Sequence, residues 1–86
     1  MITVQQWDQE QHLDEVTRLA IYHTMVKLYR FGVVETRLDK LLIMLGIDQE
    51  VAHLYRDQIM PIDVELVKYI ESISYSGQQA PTVAYQ

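Results

Sequence analysis

At 86 residues and with no cysteine, the chain is a single small domain, and neither a disulfide nor a thiolate-held zinc can staple it. A hydrophobic content of 49% against 22% charged residues excludes a wholly disordered chain. The net charge of −5 argues against general nucleic-acid binding, which leaves a basic footprint.

The N-terminus, MITVQQWDQEQ, has neither the basic region nor the apolar run of a secretory leader. The apolar run Leu41–Leu45 is far short of the ~18 residues that a membrane span requires. The expectation is a cytoplasmic protein with no membrane association.

Four helices are predicted in chain order. The first opens at Thr3, where Gln6 three residues on makes a capping box, and Ile2 with Trp7 fits a hydrophobic staple. Asp8 with Gln11 offers a later start. Gly32 is a natural stop after Phe31. From the first cap this helix runs roughly 28 residues, or about 42 Å. A compact domain of this size is only about 30 Å across. The helix therefore starts late, kinks, or packs its end on another molecule.

Its apolar pattern has two sides. Ile21, Tyr22, Met25, Val26, Leu28 and Tyr29 form a broad face, while Leu13, Val16, Ala20 and Phe31 lie nearly opposite. Leu19–Phe31 is greasier than one small core requires, which points to a second chain.

The second helix is predicted to be capped by Thr36, with the stripe Leu38, Leu41, Leu42 and Leu45, and to end at Gly46. Ile43 and Met44 fall off that stripe. Asp48 caps a third helix, with Val51, Leu54, Tyr55 and Ile59 inward, which Met60-Pro61 closes. Pro61 opens a fourth, with Leu66, Tyr69, Ile70 and Ile73 inward. Ser74 onward has turn and tail composition. Val33-Val34 is too short for a strand, and no stretch alternates with period two. The predicted fold is all-α: a bundle of about four helices over residues 1–73 with a flexible tail over 74–86.

Charge is distributed unevenly. Residues 1–15 hold four acids and no Lys or Arg; residues 16–40 hold five bases against two acids; residues 41–86 hold six acids against two bases. A basic middle between acidic ends suits docking of two copies by complementary charge.

Candidate sites are few. Gly46 between Leu45 and Ile47, followed by a capped helix, resembles the corner of a helix-turn-helix. Against that reading, the would-be recognition segment is acidic, and Leu42 stands where a small residue is usual. Glu50 with His53, and His12 with Glu15, have the spacing of carboxylate–imidazole ligands. No further inward acids complete a metal set, so no metal and no cofactor is expected. His23 reads as a partly buried histidine. Arg30, Arg37 and Lys40 flank the turn after the first helix and form a candidate phosphate-binding cluster. Tyr22, Met25, Val26, Tyr29 and Phe31 are the candidate interface, because Tyr and Met bury large area at low entropy cost.

No nucleophile–base pairing can be assembled from these spacings, so the chain reads as a non-enzyme. The leading expectation is a homodimer or larger homo-oligomer that binds a protein target as a small regulator, inhibitor or assembly factor. Its size and charge are those of phage and bacterial accessory proteins. The alternatives are a helix-turn-helix DNA-binding regulator and an oligomer that binds a small phosphorylated ligand.

Overall fold

The computed structural model describes the backbone of residues 1–83 and the side chains of residues 1–73. The described chain is mostly helical, with a two-stranded sheet. Its elements are α1 (Val4–Glu10), α2 (Glu15–Arg30), β1 (Glu35–Arg37), α3 (Leu38–Met44), α4 (Gln49–His53), β2 (Ile59–Pro61) and α5 (Val64–Val83).

The single long first helix is replaced by two. The capping box at Thr3 forms: the Gln6 amide donates to Thr3 Oγ1 at 3.2 Å and the Thr3 amide to Gln6 Oε1 at 3.0 Å. The helix stops at Glu10 because Gln11 turns extended, with ψ 151°. Gln11 then holds the break, as its Oε1 accepts from the Leu13 amide at 2.7 Å. Asp14, rather than Asp8, is the second start, and its carbonyl accepts from the Arg18 amide at 2.9 Å. The break resolves the excess length by folding α1 back on the globule.

The all-α expectation needs a second correction. β1 and β2 pair antiparallel in the register Glu35↔Pro61, Thr36↔Met60 and Arg37↔Ile59. Thr36 is therefore a strand residue, and Arg37 stands at the start of α3. The third helix is correspondingly short. Asp48 caps it, accepting from the Glu50 amide at 2.8 Å, but it ends at His53 and Ile59 to Pro61 become strand. Asp57, at φ +64°, turns the chain toward β2. The fourth predicted helix begins at Val64 instead of Pro61, and Asp63 Oδ1 receives the Leu66 amide at 3.0 Å. The backbone of 74–83 continues α5. The side chains of the tail expected over 74–86 lie outside the described residues, as does all of 84–86.

Two helix ends are closed in the same way. After α2, the Gly32 amide reaches the Tyr29 carbonyl and the Val33 amide the Leu28 carbonyl, both at 3.0 Å. After α3, Gly46 reaches Ile43 and Ile47 reaches Leu42, again at 3.0 Å. These are Schellman motifs, which need a left-handed residue; Gly32 and Gly46 sit at φ +85° and +83°.

The core gathers residues from every segment. Ile2, Val4 and Trp7 enter from the N-terminus, and Ile21, Tyr22 and Met25 from α2. Leu38, Leu41, Leu42 and Ala52 come from the α3–α4 corner, and Met60, Ile62, Leu66 and Ile70 from the far side. Trp7 is wholly buried, its ring edge-on to Tyr55 at 4.4 Å between centroids. The Ile2 amide donates to the Ile59 carbonyl at 2.9 Å, so the N-terminus is tied to β2.

A Cβ at Gly46 would meet nothing within 4 Å, so substitution there acts through backbone conformation alone. Gly46→Ala is expected to lower stability by about 1 kcal/mol in urea melts, with an unchanged denaturant slope.

Candidate functional site

The most elaborate polar constellation is centred on Asp8. The acid lies on α1; Arg18 and Tyr22, four apart, present from one face of α2; Tyr69 comes from α5. Arg18 grips the carboxylate with two prongs, Nε to Oδ1 at 2.6 Å and Nη2 to Oδ2 at 2.9 Å. The Tyr22 hydroxyl donates to Oδ1, and the Tyr69 hydroxyl to Oδ2 at 2.5 Å. The Arg18 guanidinium also lies 5.5 Å from the Tyr22 ring centroid. Only 10% of the Asp8 side chain remains exposed.

Burial alone would raise the Asp8 carboxyl. The hydrogen bonds from Arg18, Tyr22 and Tyr69 outweigh it and hold Asp8 well below the usual carboxylate range. Burial first, and then the bond to Asp8, push the Tyr22 phenol far up; the same causes push Tyr69 up to about 12. Near neutral pH the acid stays ionised and both phenols stay protonated. The cluster is thus suited to holding three helices together.

A second feature is a groove of about 420 Å³ between α2 and α5. Its floor is Val26, Val67 and Ile70, half-buried or buried. Along one wall run His23, Lys27 and Arg30, all exposed and spaced at helical three- and four-residue intervals. Tyr29 lies at its edge, and Glu71 is the acid in its lining. A third feature is the α3–α4 corner, where Ile43, Met44 and Leu45 are exposed in succession ahead of exposed Asp48 and Glu50.

The structure divides the predicted interface residues. Tyr22 and Met25 are fully buried in the chain's own core, because the broad face of α2 is the one turned inward. Val26 is half-buried, Tyr29 is 40% exposed and Phe31 83% exposed. The predicted phosphate cluster is also divided. Arg37 lies 3.7 Å from Asp57 and 3.9 Å from Asp39, Arg30 lines the α2–α5 groove, and Lys40 is exposed on α3. His23 is exposed rather than partly buried. His53 Nε2 is 3.0 Å from Arg56 Nη1, and His12 and Glu15 are both exposed, on either side of the break between α1 and α2. Among the described residues no group of three His, Asp or Glu converges as a metal site. Nor is any described helix long and apolar enough to cross a membrane.

Sequence reasoning missed the Asp8 cluster. Its one local signal, Arg18 and Tyr22 sharing a helix face, becomes meaningful only once α1 folds back. The chain matches no protein-family model, no curated protein and no solved structure.

The folded Asp8 pKa is below its ordinary value of 3.8, so its contribution to stability is complete well above that pH and is lost progressively as pH falls from there to the lower folded value. Emission from the single tryptophan, Trp7, is expected to shift red in that window as α1 loosens. Asp8→Asn leaves Arg18 without its counter-charge. It is expected to cost about 2–3 kcal/mol in urea melts at pH 7 and to flatten the acid dependence.

Proposed function

We propose that the chain is a non-catalytic helical interaction module that self-associates and binds a protein target, as a small regulator, inhibitor or assembly factor in the cytoplasm. The observation that carries this reading is the apolar end of α2. Tyr29, Phe31 and Val34 are exposed by 40%, 83% and 73% within six residues, on a domain small enough to want all its apolar surface. Val16, 77% exposed, and Ala20 lie on the side of α2 that Phe31 extends. With Tyr22 and Met25 committed to the core, the interface reading rests on Val26, Tyr29 and Phe31. Aromatic side chains of this kind are enriched at protein interfaces.

A duplex-reading role has less behind it. α4 is five residues long, and residues 48–60 carry Asp48, Glu50 and Asp57 against Arg56 alone.

Sedimentation velocity at tens of micromolar tests the proposal. Wild type is expected to sediment above the monomer mass. Phe31→Asp is expected to weaken association at least ~10-fold while leaving the far-ultraviolet circular dichroism unchanged. A wild-type monomer with intact helicity would refute self-association.

A further inference from the structure

We propose that self-association is head-to-tail: the α2–α5 groove of one copy receives the α3–α4 corner of the next. This rests on the self-association reading and names the two surfaces that meet.

The argument is one of charge and shape. Residues 16–34 carry Arg18, Lys27 and Arg30 and no acid. Arg18 is spent on Asp8, which leaves Lys27, Arg30 and the His23 ring along the groove wall. Glu71 is the acid in the groove lining, and the chain beyond it carries no Asp, Glu, Lys or Arg. The outer side of α2 is therefore both apolar and basic. Two such faces docked on each other would set Lys27 and Arg30 against their own copies, and like charges across an interface are costly.

The corner is the complementary surface. Ile43 is 48% exposed, Met44 67% and Leu45 37%, and Asp48 and Glu50 follow directly. Residues 41–53 hold those two acids and no Lys or Arg; Lys40, one turn before Met44, and Arg56, whose Nη1 is 3.0 Å from His53 Nε2, flank the corner. The Schellman turn at Gly46 joins the exposed apolar segment to the segment that carries the acids. A groove of about 420 Å³ is within the size range of small-ligand pockets, so it accommodates a few side chains rather than a whole element. Met44 and its neighbours fit that scale. They would seat on Val26, Val67 and Ile70 while Asp48 and Glu50 face Lys27 and Arg30. Because groove and corner are different surfaces, a pair of copies leaves one groove and one corner unfilled, and the contact propagates as a chain or closes as a ring.

The test is complementation between two variants. Lys27→Glu with Arg30→Glu disables the groove; Ile43→Asp with Met44→Asp disables the corner. All four residues are exposed or half-exposed, and circular dichroism with Trp7 emission verifies each fold. Should either pair fail to fold, Lys27→Gln with Arg30→Gln and Met44→Ser replace them. Each variant alone is expected to self-associate at least ~10-fold more weakly than wild type. An equimolar mixture is expected to form a one-to-one dimer that stops there, since it holds one intact groove and one intact corner. Three results would overturn the head-to-tail assignment: a mixture that stays monomeric while wild type associates, either variant associating like wild type, or a mixture that grows beyond a dimer. If wild type itself is monomeric, the self-association reading fails first, and that outcome is distinct from the other three.

Discussion

The return of α1 onto α2 depends on one carboxylate. Asp8 accepts from Arg18 and Tyr22 on α2 and from Tyr69 on α5, so a seven-residue helix is bolted to two others at a single point. A helix that short has almost no stability in isolation. Its place is secured by this junction and by the burial of Val4 and Trp7. The ion pair alone would be a doubtful asset, because taking charges from water is costly. Two phenolic donors and a forked guanidinium satisfy the carboxylate fully enough to offset that cost.

The sheet has a similar role at the other end. Three residue pairs close the segment after α2 against the segment before α5. The pairing carries the turn at Asp57 and sets the direction of α3. The Leu38 amide donates to the Gln58 carbonyl at 3.0 Å, which joins α3 directly to that turn. The α3–α4 corner is thus held at both its base and its tip, so its exposed apolar residues are displayed from a fixed frame.

Features governed by neighbours in sequence were legible from the chain. The Thr3–Gln6 box, the Asp48 cap and the stops at Gly32 and Gly46 all formed, because each is a contact among a few consecutive residues. The helix break was readable only as a conflict of lengths. No glycine or proline marks positions 11–14, and the chain turns there because Gln11 bonds its own neighbours and Asp8 waits for Arg18. The strands were not readable at all. Ile59, Met60 and Pro61 continue a helical apolar spacing, and only the partner segment from Glu35 to Arg37 selects the extended form. The candidate interface residues were divided between core and surface for a related reason. A helix with two apolar sides does not say which one is the core, and Tyr22 was drawn inward by an acid 14 residues away.

The four-residue connection from Gln11 to Asp14 has a dynamic consequence. When α1 lets go, it remains leashed beside its docking place, so its effective concentration there is of the order of millimolar or more. Departure is then brief and return is fast. The amides of α1 exchange with solvent through this small excursion, at a free energy below that of global unfolding. Trp7 fills an apolar slot in the core. α1 thus behaves as a captive segment that shields its own slot, and a competing chain must outpace a rival that never diffuses away.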